Sequence, residues 1–149
     1  MCTSLQPAKT VLIVDDDPVN LLLGATILKK SGCISLRAAG PNQAIALFEQ
    51  YGLVIDLLIT DVNMPGMSGY ELGEYLRRRN PRLPVLCMSA GSVKDALPTG
   101  FSFIQKPFTS GGFIQGVVSA LDPSSDASFI GNSIHIQKKG YLNANYRRF

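Results

Sequence analysis

Residues 55–61 read Ile-Asp-Leu-Leu-Ile-Thr-Asp. A nearly continuous apolar run of this length suits a strand covered on both faces, as in a parallel sheet. The run ends on an acid. Val11 to Val14, nearer the N-terminus, has the same form and stops at Asp15-Asp16-Asp17. Pro84 to Met88 stops at Ser89, and Phe101 to Ile104 runs out at Lys106-Pro107. Cys33 to Ala38 alternates weakly and supplies a further strand. Four of these five runs thus deliver a polar side chain at the carboxyl end.

The segments between these runs carry helical periodicity. Pro18 suits the first turn of a helix, with Asp17 as its N-cap, and Ser31-Gly32 ends it. A second helix opens at Pro41 and closes near Gly52. A third runs from Ser68 or Gly69 to Arg79, where Asn80-Pro81 breaks it. Residues 91–99 leave room for only a short fourth helix before Pro98 and Gly100. Phe108 to Leu121 forms the last, weakened by Gly111, Gly112 and Gly116. Strands alternate with helices throughout. This predicts an α/β fold, a doubly wound five-stranded parallel sheet with helices on both faces and a short fourth helix.

The 149 residues fit one domain. Its expected span is 9–122, after an N-terminal extension at 1–8. Residues 123–149 read as a polar, basic tail with no room for an output domain. Ser133 to Gln137 alternates enough for a weak strand within it. Hydrophobic residues at 46% and charged residues at 17% exclude a disordered chain. The net charge of +3 lies wholly in the tail, because residues 1–123 hold ten Lys/Arg and ten Asp/Glu. The body is therefore not expected to bind nucleic acid directly. No apolar run reaches membrane-spanning length, and the first residues lack the pattern of a signal peptide, so a cytoplasmic protein without membrane insertion is expected. Cys2, Cys33 and Cys87 match no zinc or disulfide framework and read as free, mostly buried thiols.

In an open parallel sheet, ligands bind beyond the carboxyl ends of the strands. Asp15, Asp16, Asp61, Ser89 and Lys106 would converge there. Three carboxylates in one cleft repel one another unless a cation joins them. Oxygen-only ligands favour Mg²⁺ or Mn²⁺. Lys106 offers a compact positive charge for an anion and Ser89 a hydroxyl. The chemistry implied is attack by a carboxylate oxygen on phosphorus, giving an aspartyl phosphate.

Four segments carry a resemblance: VLIVDDDP at 11–18, LLITDVNMPGMSG at 57–69, VLCMSA at 85–90 and FIQKPF at 103–108. Together, in this order and spacing, they resemble the receiver domain of response regulators in two-component signalling, which has a flavodoxin-like fold. The short stretch between Ser89 and Lys106 resembles receivers attached to hybrid histidine kinases. The resemblance implies that Asp61 is the phosphoacceptor, that Asp16 binds Mg²⁺ directly and that Asp15 assists through water. It places the backbone carbonyl of Asn63 on the metal. Ser89 becomes the switch hydroxyl, Lys106 the partner of the phosphoryl group, and Phe103 the aromatic that turns inward on activation. Lys106-Pro107 would be a cis peptide. The implied phosphoryl donor is a histidine kinase or a histidine phosphotransfer protein, with output through contacts to an unidentified protein. Such a chain is a regulator rather than an enzyme, catalysing only its own phosphorylation and dephosphorylation. Gly91, two residues after Ser89, offers no side chain to position an attacking water, which implies slow dephosphorylation.

Two other readings stand beside this one. A Mg²⁺-dependent phosphatase of the haloacid-dehalogenase type would use Asp15 as nucleophile with Asp17 two residues on. A phosphorylation-independent interaction module would not use the acids at all. His135, the single histidine, lies outside the body and is not expected to act as a phosphorylated histidine. Arg77, Arg78, Arg79 and Arg82 read as a solvated helix end that complements the helix dipole, with a partner-binding patch as the alternative.

Overall fold

The structure is a computed structural model, and it describes residues 8–91, 97–122 and 134–135. Strand β1 (Thr10–Val14) leads to helix α1 (Pro18–Lys30), β2 (Ile34–Ala38) and α2 (Pro41–Tyr51). A 3₁₀ turn, Gly52–Val54, precedes β3 (Leu57–Asp61). Helix α3 (Gly69–Arg79), β4 (Val85–Ser89), β5 (Phe101–Gln105) and α4 (Ser110–Leu121) complete the body, and β6 (Ile134–His135) follows. The sheet order is β2-β1-β3-β4-β5-β6. The first five strands pair in parallel, as the apolar runs predict.

The sixth strand is an addition to the expected five. It pairs antiparallel with β5, Phe103 opposite His135 and Ile104 opposite Ile134. It falls within the weakly alternating stretch at 133–137. The expected short fourth helix falls largely on residues 92–96, outside the described residues, which hold four α-helices.

Every residue of β1, β3 and β4 is buried, because helices cover both faces of the sheet. One apolar layer, beneath α2 and α3, gathers Leu12, Val14, Phe48, Leu72, Leu76 and Phe101. The other, beneath α1 and α4, gathers Val11, Ile13, Leu28, Ile59, Ile104 and Phe113. Gly116 weakens α4 by propensity but serves this packing. A Cβ there would lie 2.6 Å from Ile104 Cδ1, so the helix approaches β5 only without one.

The helix starts follow their caps. Asp17 Oδ1 accepts from the Val19 amide at 2.9 Å, and Pro18 occupies the first turn. Ser68 and Glu71 form a capping box at α3, with bonds of 3.1 and 2.9 Å. Thr109 caps α4, so that helix begins two residues after the expected Phe108.

The cysteines correct the sequence reading. Cys87 is free and buried, as expected, but Cys33 is disulfide-bonded. Cys33 lies just before β2, where the Ile34 amide donates to the Lys9 carbonyl at 2.8 Å. Cysteine count and spacing do not record which sulfurs a fold brings within bonding distance. Cys2 lies outside the described residues.

Candidate functional site

Parallel pairing aligns the carboxyl ends of β1, β3, β4 and β5 at one edge of the sheet. Asp61 is the last residue of β3, and Asp15 and Asp16 directly follow β1. One oxygen from each of these three carboxylates lies within 4.8 Å of the others. Asp15 and Asp61 are buried and Asp16 is exposed. Three hard oxygen donors at this spacing fit a small divalent cation. Lys106 reaches in from beyond β5, its Nζ 2.9 Å from Asp61 Oδ1 and 3.5 Å from Asp15 Oδ2. Lys106-Pro107 is a cis peptide, as the resemblance implied. The Lys106 amide also donates to the Ser89 carbonyl at 2.8 Å, which ties the ends of β4 and β5 together.

The electrostatics follow from burial. Desolvation raises the Asp15 carboxyl above its ordinary value, against the Asp17 amide that donates to Oδ1 at 2.9 Å and against the Lys106 charge. For Lys106 desolvation favours the neutral amine. The hydrogen bond to Asp61 and the charges of Asp15 and Asp61 together outweigh it, and the ammonium is held above its ordinary range.

The remaining expected residues take different positions. Ser89 is buried, its Oγ accepting from the Gly91 amide at 3.0 Å. Asn63 is exposed in the loop that leaves β3. Phe103 is 1% exposed and packs in the layer that contains Cys87 and Met64, so the ring is already inside. Asp17 stays out of the acid cluster. It caps α1 and accepts from Asn20 Nδ2 at 3.3 Å, so the Asp15–Asp17 pair required for a haloacid-dehalogenase site is not assembled.

Two residues were missed as supports of the site. Thr60 is fully buried and donates its hydroxyl to the Asp61 carbonyl at 2.9 Å. Gly69 opens α3, and a Cβ on it would lie 2.2 Å from that same carbonyl oxygen. Its amide donates to the Val62 carbonyl at 2.8 Å. The only sequence signal was a glycine directly after a helix cap, which reads equally well as turn punctuation.

The family model of the response regulator receiver domain matches residues 11–117. The sensor kinase CckA of Brucella abortus is 33% identical over 113 residues, covering 72% of this chain and 12% of the kinase. The chain thus spans about an eighth of that relative. The crystal structure of the receiver domain from the hybrid histidine kinase CckA is 30% identical with a TM-score of 0.67, covering 75% of this chain and 98% of that one. A crystal structure of the CheX–CheY–BeF3–Mg complex from Borrelia burgdorferi contains a chain that is 27% identical with a TM-score of 0.68, the match covering 74% of this chain and 87% of that one.

Proposed function

The chain belongs to the response regulator receiver domain family, and on that premise we propose that Asp61 is its phosphoacceptor and Mg²⁺ its cation. It is a phosphorelay signal receiver rather than a phosphatase of the haloacid-dehalogenase type. One observation carries the assignment of Asp61. Its carboxylate lies in the acid cluster and makes the shorter bond to Lys106, 2.9 Å against 3.5 Å for Asp15.

An Asp61 oxygen attacks the phosphorus of a phosphohistidine on the donor. The O–P bond forms as the N–P bond breaks, and the imidazole leaves with the electron pair and takes up a proton. Asp15, Asp16, Asp61 and the Asn63 carbonyl would hold Mg²⁺, Asp15 through water. The ion, when bound, offsets charge on the transferred oxygens. Lys106 moves from the Asp61 carboxylate to a phosphoryl oxygen, and Ser89 gives up the Gly91 amide to donate to another. Because Phe103 is already buried, phosphorylation holds the ring inside rather than drawing it there. The two forms differ in population, and the phosphoryl contacts bias them.

The donor, a histidine kinase or histidine phosphotransfer protein, docks beside the site. Helix α1 starts one residue after Asp17 and exposes Val19, Leu22 and Leu23, an apolar face next to the acids. Output passes through protein contacts of the phosphorylated form.

The test is incubation with acetyl phosphate and Mg²⁺, read by intact mass. Wild type gains one phosphoryl mass, and Asp61→Asn or omission of Mg²⁺ abolishes the gain. A gain that survives Asp61→Asn removes the assignment, and a label on Asp15 would restore the phosphatase reading.

A further inference from the structure

The amino ends of the strands form a second surface, remote from the acids. Strands of five residues separate the two by about 16 Å. Here the 3₁₀ turn places Leu53 wholly in solvent, with Val54 57% and Tyr51 40% exposed. Leu53 and Asn80 line two adjoining clefts. One, of about 740 Å³, runs between the ends of α2 and α3 and is also lined by Tyr51, Val54 and Arg79. The other, of about 320 Å³, is also lined by Lys9, Arg82 and Pro84.

The charges around this apolar ridge are unequally satisfied. Glu49 is paired with Arg79 at 3.2 Å, and Asp56 accepts from the Thr10 amide at 2.9 Å. Lys9 and Arg82, which line the second cleft with Leu53, make no ion pair among the described residues. The arrangement is an exposed apolar ridge with unpaired cations beside it. The ordinary account of α3's arginines, a complement to the helix dipole, explains the charges but not Leu53 and Val54.

We propose that this end of the domain docks a segment of a partner protein in which a bulky apolar residue is flanked by carboxylates. The apolar residue enters the clefts beside Leu53, and the carboxylates meet Lys9 and Arg82. Charge complementarity selects this occupant over the others. A second copy would bring the same cations face to face. The chain's own residues 123–149 carry a net +3, the wrong sign. A nucleic acid would leave the apolar ridge unmatched. Because the surface lies at the opposite end from Asp61, docking is independent of phosphorylation.

The test uses the full ¹⁵N-labelled chain and the synthetic peptide acetyl-Glu-Glu-Leu-Phe-Glu-Glu-amide, followed by amide chemical shifts. Saturable shifts at residues 9, 51–54 and 79–82 are expected, equal in wild type and Asp61→Asn. Leu53→Asp weakens binding by at least about tenfold, the scale of one buried leucine, and Lys9→Glu with Arg82→Glu weakens it similarly. Leu53 is solvent-exposed, so the variant folds, which its own spectrum checks. Absence of saturable shifts overturns the proposal. So does equal binding of the lysine version of the peptide, stronger binding of duplex DNA at this surface, or self-association through it in sedimentation velocity.

Discussion

Lys106 Nζ bridges two carboxylates from different strands, 2.9 Å from Asp61 and 3.5 Å from Asp15. Both side chains are largely buried, so the ammonium supplies the nearest positive charge to two acids placed 46 residues apart in sequence. The bridge links β1, β3 and β5 at one point and makes Lys106 a competitor for whatever cation the acids bind.

Replacing Lys106 by Met separates its two effects. Phosphorylation by acetyl phosphate slows by about 10²-fold or more, the usual effect of removing one donor to a transferring group. Mg²⁺ binds more tightly, because a competing charge has gone. Stopped-flow phosphorylation and calorimetric titration read the two separately. If rate and affinity fall together, Lys106 acts only by holding the site's shape.

Asp15 gives the site its pH dependence. Burial raises its folded-state carboxyl above the unfolded value. Ionised Asp15 therefore costs stability at neutral pH, and that cost is lifted as pH falls through the folded value toward the unfolded one. Cation binding needs the ionised form, so Mg²⁺ affinity falls with acidity at a pH above the ordinary aspartate range. Asp15→Asn keeps an acceptor for the Asp17 amide and removes the charge. It raises Tm by a few degrees without Mg²⁺, about 1 kcal/mol, and weakens Mg²⁺ binding. A lowered Tm would show that Asp15 serves the fold through its charge.

Gly69→Ala tests the support beneath the phosphoacceptor. The new methyl meets the Asp61 carbonyl at 2.2 Å, a backbone atom that cannot turn aside. Urea unfolding is expected to show a loss of about 2 kcal/mol or more, in the range for overpacked sites. Phosphorylation slows as well, because α3 must shift from the end of β3. Ala at the exposed Ser110, also in a first helical turn, serves as the neutral comparison.

Cys87 is expected to be inert in the native protein. It is fully buried, and burial with the Asp61 charge pushes its thiol well above the ordinary range. Labelling with a thiol reagent at pH 8, mapped by mass spectrometry, modifies Cys87 only after unfolding. Rapid labelling of Cys87 in the folded protein would mean that the layer beneath α3 opens.

Much of the site was legible before the fold was known. Apolar runs stopping at Asp15, Asp61, Ser89 and Lys106 name the residues, and a parallel sheet gathers strand ends at one edge. The support for Asp61 was less legible. Thr60 reads as part of an apolar run, and Gly69 reads as a turn. Their roles depend on how closely α3 approaches β3, a distance that no spacing encodes. Asp17 shows the converse. Its place beside two other acids suggests a ligand, and its place before Pro18 suggests a cap. The bond to the Val19 amide decides for the cap.

Strand and helix order was readable from the residues alone, because burial on two faces leaves continuous apolar runs and caps leave local side-chain signatures. The residues also determined the chemistry available, since carboxylates, a hydroxyl and an ammonium are residue identities. Tertiary structure alone decided which groups meet. It placed Lys106 on Asp61, bonded Cys33, buried Phe103 and left Leu53 in solvent. These outcomes rest on distances between segments far apart in the chain, and such distances are set by packing rather than by any local pattern.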